Sequence, residues 1–180
     1  MRKNYKNIFA STYADLKTYD TSLIQHKIPL KPEAKPYQQK LRRINLALLP
    51  IVEKEIKKIL DAQIILPLRY SNWVTNLVPI RKKYGEIRLC VDFRNLNKTS
   101  LKDNYPLLKM DQLLQMVLGS QRLSMLDGIS GYSQVNIDTT DKEKETFTTP
   151  WGTFMYARMP FGLTNVGAMF QRAMDITFMG

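Results

Sequence analysis

The sequence predicts an α+β fold, and three observations carry that reading. Two pairs of short apolar stretches flank tight turns, the pattern of β-hairpins. Two longer stretches repeat their apolar residues at helical spacing. The elements are mixed and hairpin-rich along the chain. The 180 residues are room for one ordinary domain, or one and a half small ones. With 44% hydrophobic and 24% charged residues, a packed core is expected rather than disorder.

Residues 1–45 carry Pro29, Pro32 and Pro36 among scattered Lys and Arg, with little periodicity. They read as an extended arm rather than a packed unit. A helix comes next, over about 48–62. Val52, Ile56, Ile59 and Leu60 recur on one face, and Pro50 suits the first turn, where its missing N–H does no harm. Residues 77–82 and 86–91 then flank Tyr84-Gly85 as a first hairpin. The stretch 95–110 reads as loop, and 111–118 as a short helix stopped by Gly119. Residues 122–127 read as a strand ending in the carboxylate of Asp127, ahead of the turn formers Gly128, Ser130 and Gly131. A second hairpin, 146–149 and 153–158, turns at Pro150-Trp151-Gly152. A helix from about Asn165 to Phe178 closes the chain, with Met169, Phe170, Ala173 and Met174 on its apolar face.

The formal net charge is +11, and it is unevenly placed. Residues 1–100 hold 20 Lys/Arg against 8 Asp/Glu, a balance of +12, while residues 101–180 hold 7 against 8. Such a half is either a solvated basic surface or a face that tracks a phosphate backbone. The single cysteine, Cys90, excludes an intrachain disulfide and a Cys-rich zinc site, and fits a reducing compartment. No apolar run approaches the roughly 20 residues of a membrane-spanning helix. The basic start is not succeeded by a long apolar stretch, so neither a membrane partner nor a secretory signal is expected.

Most familiar active-site patterns are missing. There is no GxxxxGK[ST], GxGxxG or GxSxG, and the one histidine, His26, lies in the arm. Carboxylate and cation chemistry remains. Asp127, at the carboxyl end of a strand before a glycine turn, is placed either to hold a hard cation such as Mg²⁺ or to cap the element after Gly128. Lys82 and Arg88 lie on the two arms of the first hairpin. They are either surface charge or a triphosphate clamp, the arginine as a fork and the lysine as a point charge. The clamp requires a three-residue loop at 83–85, which would put both on one face.

The run Ser71-Asn72-Trp73-Val74, continued from Val78 to Lys98 as VPIRKKYGEIRLCVDFRNLNK, resembles the fingers of retroelement reverse transcriptases. Ser124-Met125-Leu126-Asp127-Gly128-Ile129-Ser130-Gly131-Tyr132 looks like their first palm motif. Residues 146–152 (TFTTPWG) and 159–165 (MPFGLTN) match the next two blocks, and the likeness reaches back to His26-Lys27-Ile28-Pro29-Leu30-Lys31-Pro32. It is nearest to gypsy-type long-terminal-repeat retrotransposons, those of plants in particular, and covers about residues 8–180.

The resemblance implies a right-hand polymerase with an extended arm (1–45), fingers (46–110) and a partial palm with interleaved fingers elements (111–180). It implies template-dependent nucleotidyl transfer from dNTPs onto an RNA or DNA template-primer, with Mg²⁺ as cofactor. Asp127 would be catalytic and would bind the metal together with the backbone of Gly128. Lys82 and Arg88 would clamp the triphosphate, Tyr132 would underlie the sugar, and Phe161 would border the nucleotide pocket. Otherwise Tyr132 and Phe161 are ordinary core aromatics. Arg94 and Asn97 would face the template. The implied location is intracellular, in a cytoplasmic retroelement particle or the nucleus.

One departure is large. The family carries a Tyr-x-Asp-Asp hairpin, and neither that tetrapeptide nor any Asp-Asp pair occurs in this chain. Two-metal catalysis places its cations about 3.5–4 Å apart, and one carboxylate cannot hold both. The chain is therefore expected to be inactive alone. The alternatives are a noncatalytic basic nucleic-acid-binding module and a nonfunctional remnant. Two departures are smaller: Gln63 stands where the family ends a helix with glycine, and Gly167 where many members have proline.

Overall fold

The computed structural model describes residues 10–81, 87–124, 128 and 130–178. Its centre is a five-stranded sheet built from β1 (Ile65–Pro67), β2 (Thr75–Arg81), β3 (Ile87–Val91), β4 (Thr146–Thr149) and β5 (Gly152–Tyr156), in the order β1-β5-β4-β2-β3. The two hairpins pair antiparallel, β2 with β3 and β4 with β5. A short parallel contact, Thr75 to Phe147 and Asn76 to Thr148, joins them into one sheet. Four α-helices lie among the described residues: α1 (Leu49–Asp61), α2 (Arg94–Thr99), α3 (Met110–Val117) and α4 (Val166–Phe178). The α+β class holds.

The helix expected over 48–62 is α1, entered through a 3-10 turn at Leu46–Leu48 and with Pro50 in its first turn. Val52, Ile56 and Ile59 are buried against the sheet, as their spacing requires. The helix ends in a reversal. Gln63 sits at φ +54, its N–H donates to the Leu60 carbonyl, and the Ile64 N–H reaches the Ile59 carbonyl. This two-bond ending is the one glycine serves best, because a Cβ opposes the left-handed backbone.

Phe147 lies at the middle of the core, fully buried, with ring centroids 6.0 Å from Phe154 and 5.3 Å from Tyr156. Ile65, Leu96, Val135 and Met159 surround the same core with no exposed surface.

Three expectations need correction. The described part of the arm is extended, but it is not held off the core. Leu16, Ile24, His26 and Ile28 are buried, and the strand-like pairings of His26 with Ile137 and Gln38 with Val74 lay it along the body. The periodicity missed this because single bridges in extended chain impose no repeat. Residues 94–99, expected largely as loop, form α2, a six-residue helix pinned by the wholly buried Leu96. Its sequence is too short to show a helical period. Residues 122–124, expected as the start of a strand, form no strand pairing among the described residues and are exposed, while 125–127 lie outside the described residues. An apolar run becomes a strand only where a neighbouring strand accepts its hydrogen bonds.

Candidate nucleotide and nucleic-acid site

The candidate residues come from three separate parts of the chain. Arg88 is carried by β3, directly across from Ile80 of β2, and is exposed. Phe161 lies after β5 in the turn before α4, with 56% of its surface open. Tyr132 lies in a 3-10 turn, Gly131–Gln134, directly after the glycine turn. The guanidinium carbon of Arg88 lies 5.8 Å from the centroid of the Phe161 ring. Phe161 in turn stands 4.6 Å from Tyr132 at a 56° tilt, and Tyr132 meets Phe170 of α4 edge-on at 5.1 Å. A line of cation, aromatic, aromatic, aromatic therefore runs from the first hairpin to the last helix.

Backbone economy at this point depends on glycine. A Cβ built on Gly131 would come within 2.7 Å of the Phe170 ring, so the turn can approach α4 only without a side chain there. Gly162, next to Phe161, takes φ +100, a conformation that favours the same residue. Arg88, Phe161 and Gly128 line one cleft of about 910 Å³, which also reaches α1.

Asn97 is occupied at both ends of its amide. It accepts from the Thr164 N–H at 2.9 Å and donates to the Gly162 carbonyl at 2.8 Å. It thus braces the turn that presents Phe161. Arg94 makes a two-pronged contact with Asp92, at 2.7 Å and 2.6 Å, and remains largely exposed. The Arg94 hydrogen bond holds the Asp92 carboxyl below its usual range, against a smaller opposing effect of burial. Sequence reasoning thus named both residues, but their contacts are with the protein's own groups. Lys82 and Asp127 lie outside the described residues, as does the loop 83–85 that would put Lys82 and Arg88 on one face.

Sequence reasoning missed the α1 wall of the cleft. Lys54 and Lys58 line it, and the Lys58 ammonium lies 5.1 Å from the centroid of the Tyr13 ring. Their spacing of four residues on one helical face was the available signal. No group of three or more His, Cys, Asp or Glu side chains able to hold a metal ion occurs among the described residues.

A sheet of two linked hairpins with an aromatic turn at its mouth is the fingers-and-palm arrangement of right-hand polymerases. It superposes on the prototype foamy virus protease-reverse transcriptase with a TM-score of 0.85 at 21% identity, covering 97% of this chain and 23% of that one. The foamy viral enzyme in complex with double-stranded DNA gives 0.80 at 18% identity, covering 99% and 31%. The chain belongs to the reverse transcriptase (RNA-dependent DNA polymerase) family, whose pattern matches residues 80–179. Among curated relatives it is similar to the retrovirus-related Pol polyprotein from transposon gypsy of Drosophila melanogaster, 34% identical over 69% of this chain. The polyprotein from transposon 297 of the same organism is 32% identical over 69% of this chain. This chain spans 12% of the length of each. The relationship is to the reverse transcriptases of long-terminal-repeat retrotransposons.

Proposed function

We propose that this chain supplies the fingers (46–110) and the first part of the palm (111–180) of an RNA-directed DNA polymerase, with residues 1–45 as an N-terminal arm whose described part is laid along the body. Arg88, Tyr132 and Phe161 border the pocket for the incoming dNTP, and the basic first hundred residues track the template-primer backbone. The stack of Arg88 on Phe161 and Phe161 on Tyr132, beside the Gly128 turn, is the observation that carries this reading. Arginine there offers a fork to a triphosphate, and the aromatic pair offers a face to the sugar and base. Foamy viral relatives of the same fold are solved with an RNA/DNA hybrid and with double-stranded DNA, which supports a nucleic-acid partner here.

Reverse transcriptases depend on divalent metal ions, and we assign Mg²⁺ to Asp127 and the Gly128 backbone. One carboxylate cannot hold two cations, and the sequence has no Asp-Asp pair, so a two-metal centre needs carboxylate donors besides Asp127. The described residues of the site bind and orient. Arg88 attracts phosphate, Tyr132 and Phe161 fix the nucleoside, and Asn97 holds the Phe161 turn.

Fluorescence anisotropy with a labelled template-primer tests the reading. Affinity is expected to fall linearly with salt on logarithmic axes, by about 0.7–0.9 in slope per phosphate neutralised. Arg88→Ala is expected to weaken dNTP binding while leaving most of the template-primer affinity. No primer extension is expected with Mg²⁺ and dNTPs. Salt-independent binding would defeat the electrostatic reading. Extension abolished by Asp127→Asn would defeat the inference that the chain only binds.

A further inference from the structure

Between Tyr37 and Arg42 the arm runs beside the start of β2. The Val74 N–H donates to the Tyr37 carbonyl and the Gln39 N–H to the Val74 carbonyl, at 3.1 and 2.8 Å. Two side-chain amides then lock this stretch. Gln39 Nε2 donates to the Asp92 carbonyl and to Asn95 Oδ1, both at 2.9 Å. Its Oε1 accepts from the N–H and the Nδ2 of Asn76, at 3.0 and 3.1 Å, so every position of the amide is filled. Asn76 is buried on β2, and its amide also grips the arm backbone. Nδ2 donates to the Lys40 carbonyl and Oδ1 accepts the Arg42 N–H, each at 2.9 Å.

The grip is on backbone, and the side chains that it leaves outside are charged. Lys40, Arg42 and Arg43 are exposed, and residues 31–43 hold five Lys/Arg against one Glu. Arg42 stands near the Asp92–Arg94 pair. The Asp92 carboxyl is held below its usual range first by its hydrogen bond from Arg94 and, more weakly, by the charge of Arg42. Arg94 keeps 77% of its side chain open. Cations on a loose arm must be ordered by the ligand at each encounter. Here the backbone is ordered on folding, so binding has only side-chain rotamers left to fix.

We propose that Gln39 and Asn76 are positioning residues for nucleic-acid binding: their paired amides hold the arm backbone so that Lys40, Arg42 and Arg43 meet a phosphodiester backbone together with Arg94. The inference rests on the reading of the basic first hundred residues as the face for the template-primer.

Fluorescence anisotropy of the full chain with labelled template-primer, across a salt series, separates position from charge. Gln39→Ala leaves the net charge at +11. It is expected to weaken binding about fivefold and to flatten the salt slope by about 1, because a loose arm neutralises fewer phosphates. The triple variant Lys40→Gln/Arg42→Gln/Arg43→Gln changes only exposed side chains and should melt as the wild type does. Its slope should fall by about 2, for three phosphates no longer neutralised. Adding Gln39→Ala to the triple variant should then change affinity by less than about twofold, since the amide has no cations left to position. A purely structural Gln39 would weaken wild type and triple variant by the same factor, and that result would overturn the proposal. Asn95→Ala takes one partner from Gln39 and leaves Asn76 paired, so it serves where Gln39→Ala fails to fold. It should cost about twofold in the wild type and nothing in the triple variant; equal costs in both, or none in the wild type, would again overturn the proposal. Salt-independent binding by the wild type would instead defeat the underlying reading of the basic face. Salt-dependent binding that Gln39→Ala leaves unmoved would defeat the positioning role alone.

Discussion

The sheet body and the segment 101–124 are both rich in apolar side chains, yet only the first buries them. Around Phe147 the sheet, α1 and α2 close on one another, with Val52, Ile65 and Leu96 sealed from solvent. In the second region every residue from 106 to 124 is exposed, although α3 carries a regular stripe of Met110, Leu113, Leu114 and Val117. Helical spacing marks which face of a segment prefers to leave water; it does not supply the surface that would cover it. The solved relatives extend well beyond the portion that this chain matches, about a quarter to a third of their length. Apolar content predicts stability here only where the chain folds back on itself.

The largest test of that contrast is Phe147→Ala. Removing a fully buried ring that meets Phe154 and Tyr156 should cost about 3–5 kcal/mol, read as a lowered midpoint in urea unfolding. A loss under about 1 kcal/mol would mean that the sheet body is no better packed than α3.

The packed body also contains two buried titratable groups with opposite consequences. His26 is almost completely buried, and burial pushes its imidazole down to about 4 from an ordinary 6.5, only partly countered by the charge of Asp141. The folded state therefore favours the neutral ring. Its contribution is intact above pH 6.5 and is lost as pH falls toward 4, by on the order of 3 kcal/mol in all. Glu145 is fully buried with both carboxylate oxygens unpartnered among the described residues, and burial, then Asp141, raise its carboxyl well above the usual 4.5. Folding favours its protonated form, so that stability is intact below pH 4.5 and lost as pH rises through the raised value. Urea midpoints across pH should show both limbs. His26→Gln should flatten the acid limb and Glu145→Gln the alkaline one; a limb that survives its own substitution has another cause.

Much of this was legible in the residues. Both hairpins, α1, α3 and α4 are readable from alternation, helical spacing and the punctuation of Pro50 and Gly119. The meeting of Arg88, Tyr132 and Phe161 was not readable from periodicity, since it depends on turns that bring distant segments together; ordered motifs implied it. The resemblance implies that Asn97 faces the template; nothing around it in the sequence marks its contact with the Gly162 carbonyl 65 residues away. His26, alone in a proline-bearing arm, gave no sign that it would pair with Ile137 and be buried.

Gln63 gives a smaller test within the packed region. A left-handed residue at φ +54 closes α1, so Gln63→Gly should stabilise the chain by about 0.5–1 kcal/mol and raise its melting temperature. The gain is partly offset because glycine is also freer in the unfolded chain. A decrease would show that the glutamine side chain contributes more than its backbone costs.

The smallest expected effect bears most directly on the contrast. Leu114 is 58% exposed on a helix of eight residues, short enough to be marginal in water without packing. Glutamine has nearly the helix propensity of leucine and a similar length. Leu114→Gln therefore removes apolar surface from solvent contact without removing a buried contact, and unfolding should shift by less than about 0.5 kcal/mol. The same substitution should lower the binding of a dye that reports exposed apolar surface, because one side chain of the stripe is gone. The two readouts must move independently. A cost above about 1 kcal/mol would show that the Leu114 side chain is covered in solution, and the difference between the sheet body and α3 would then be one of degree rather than kind.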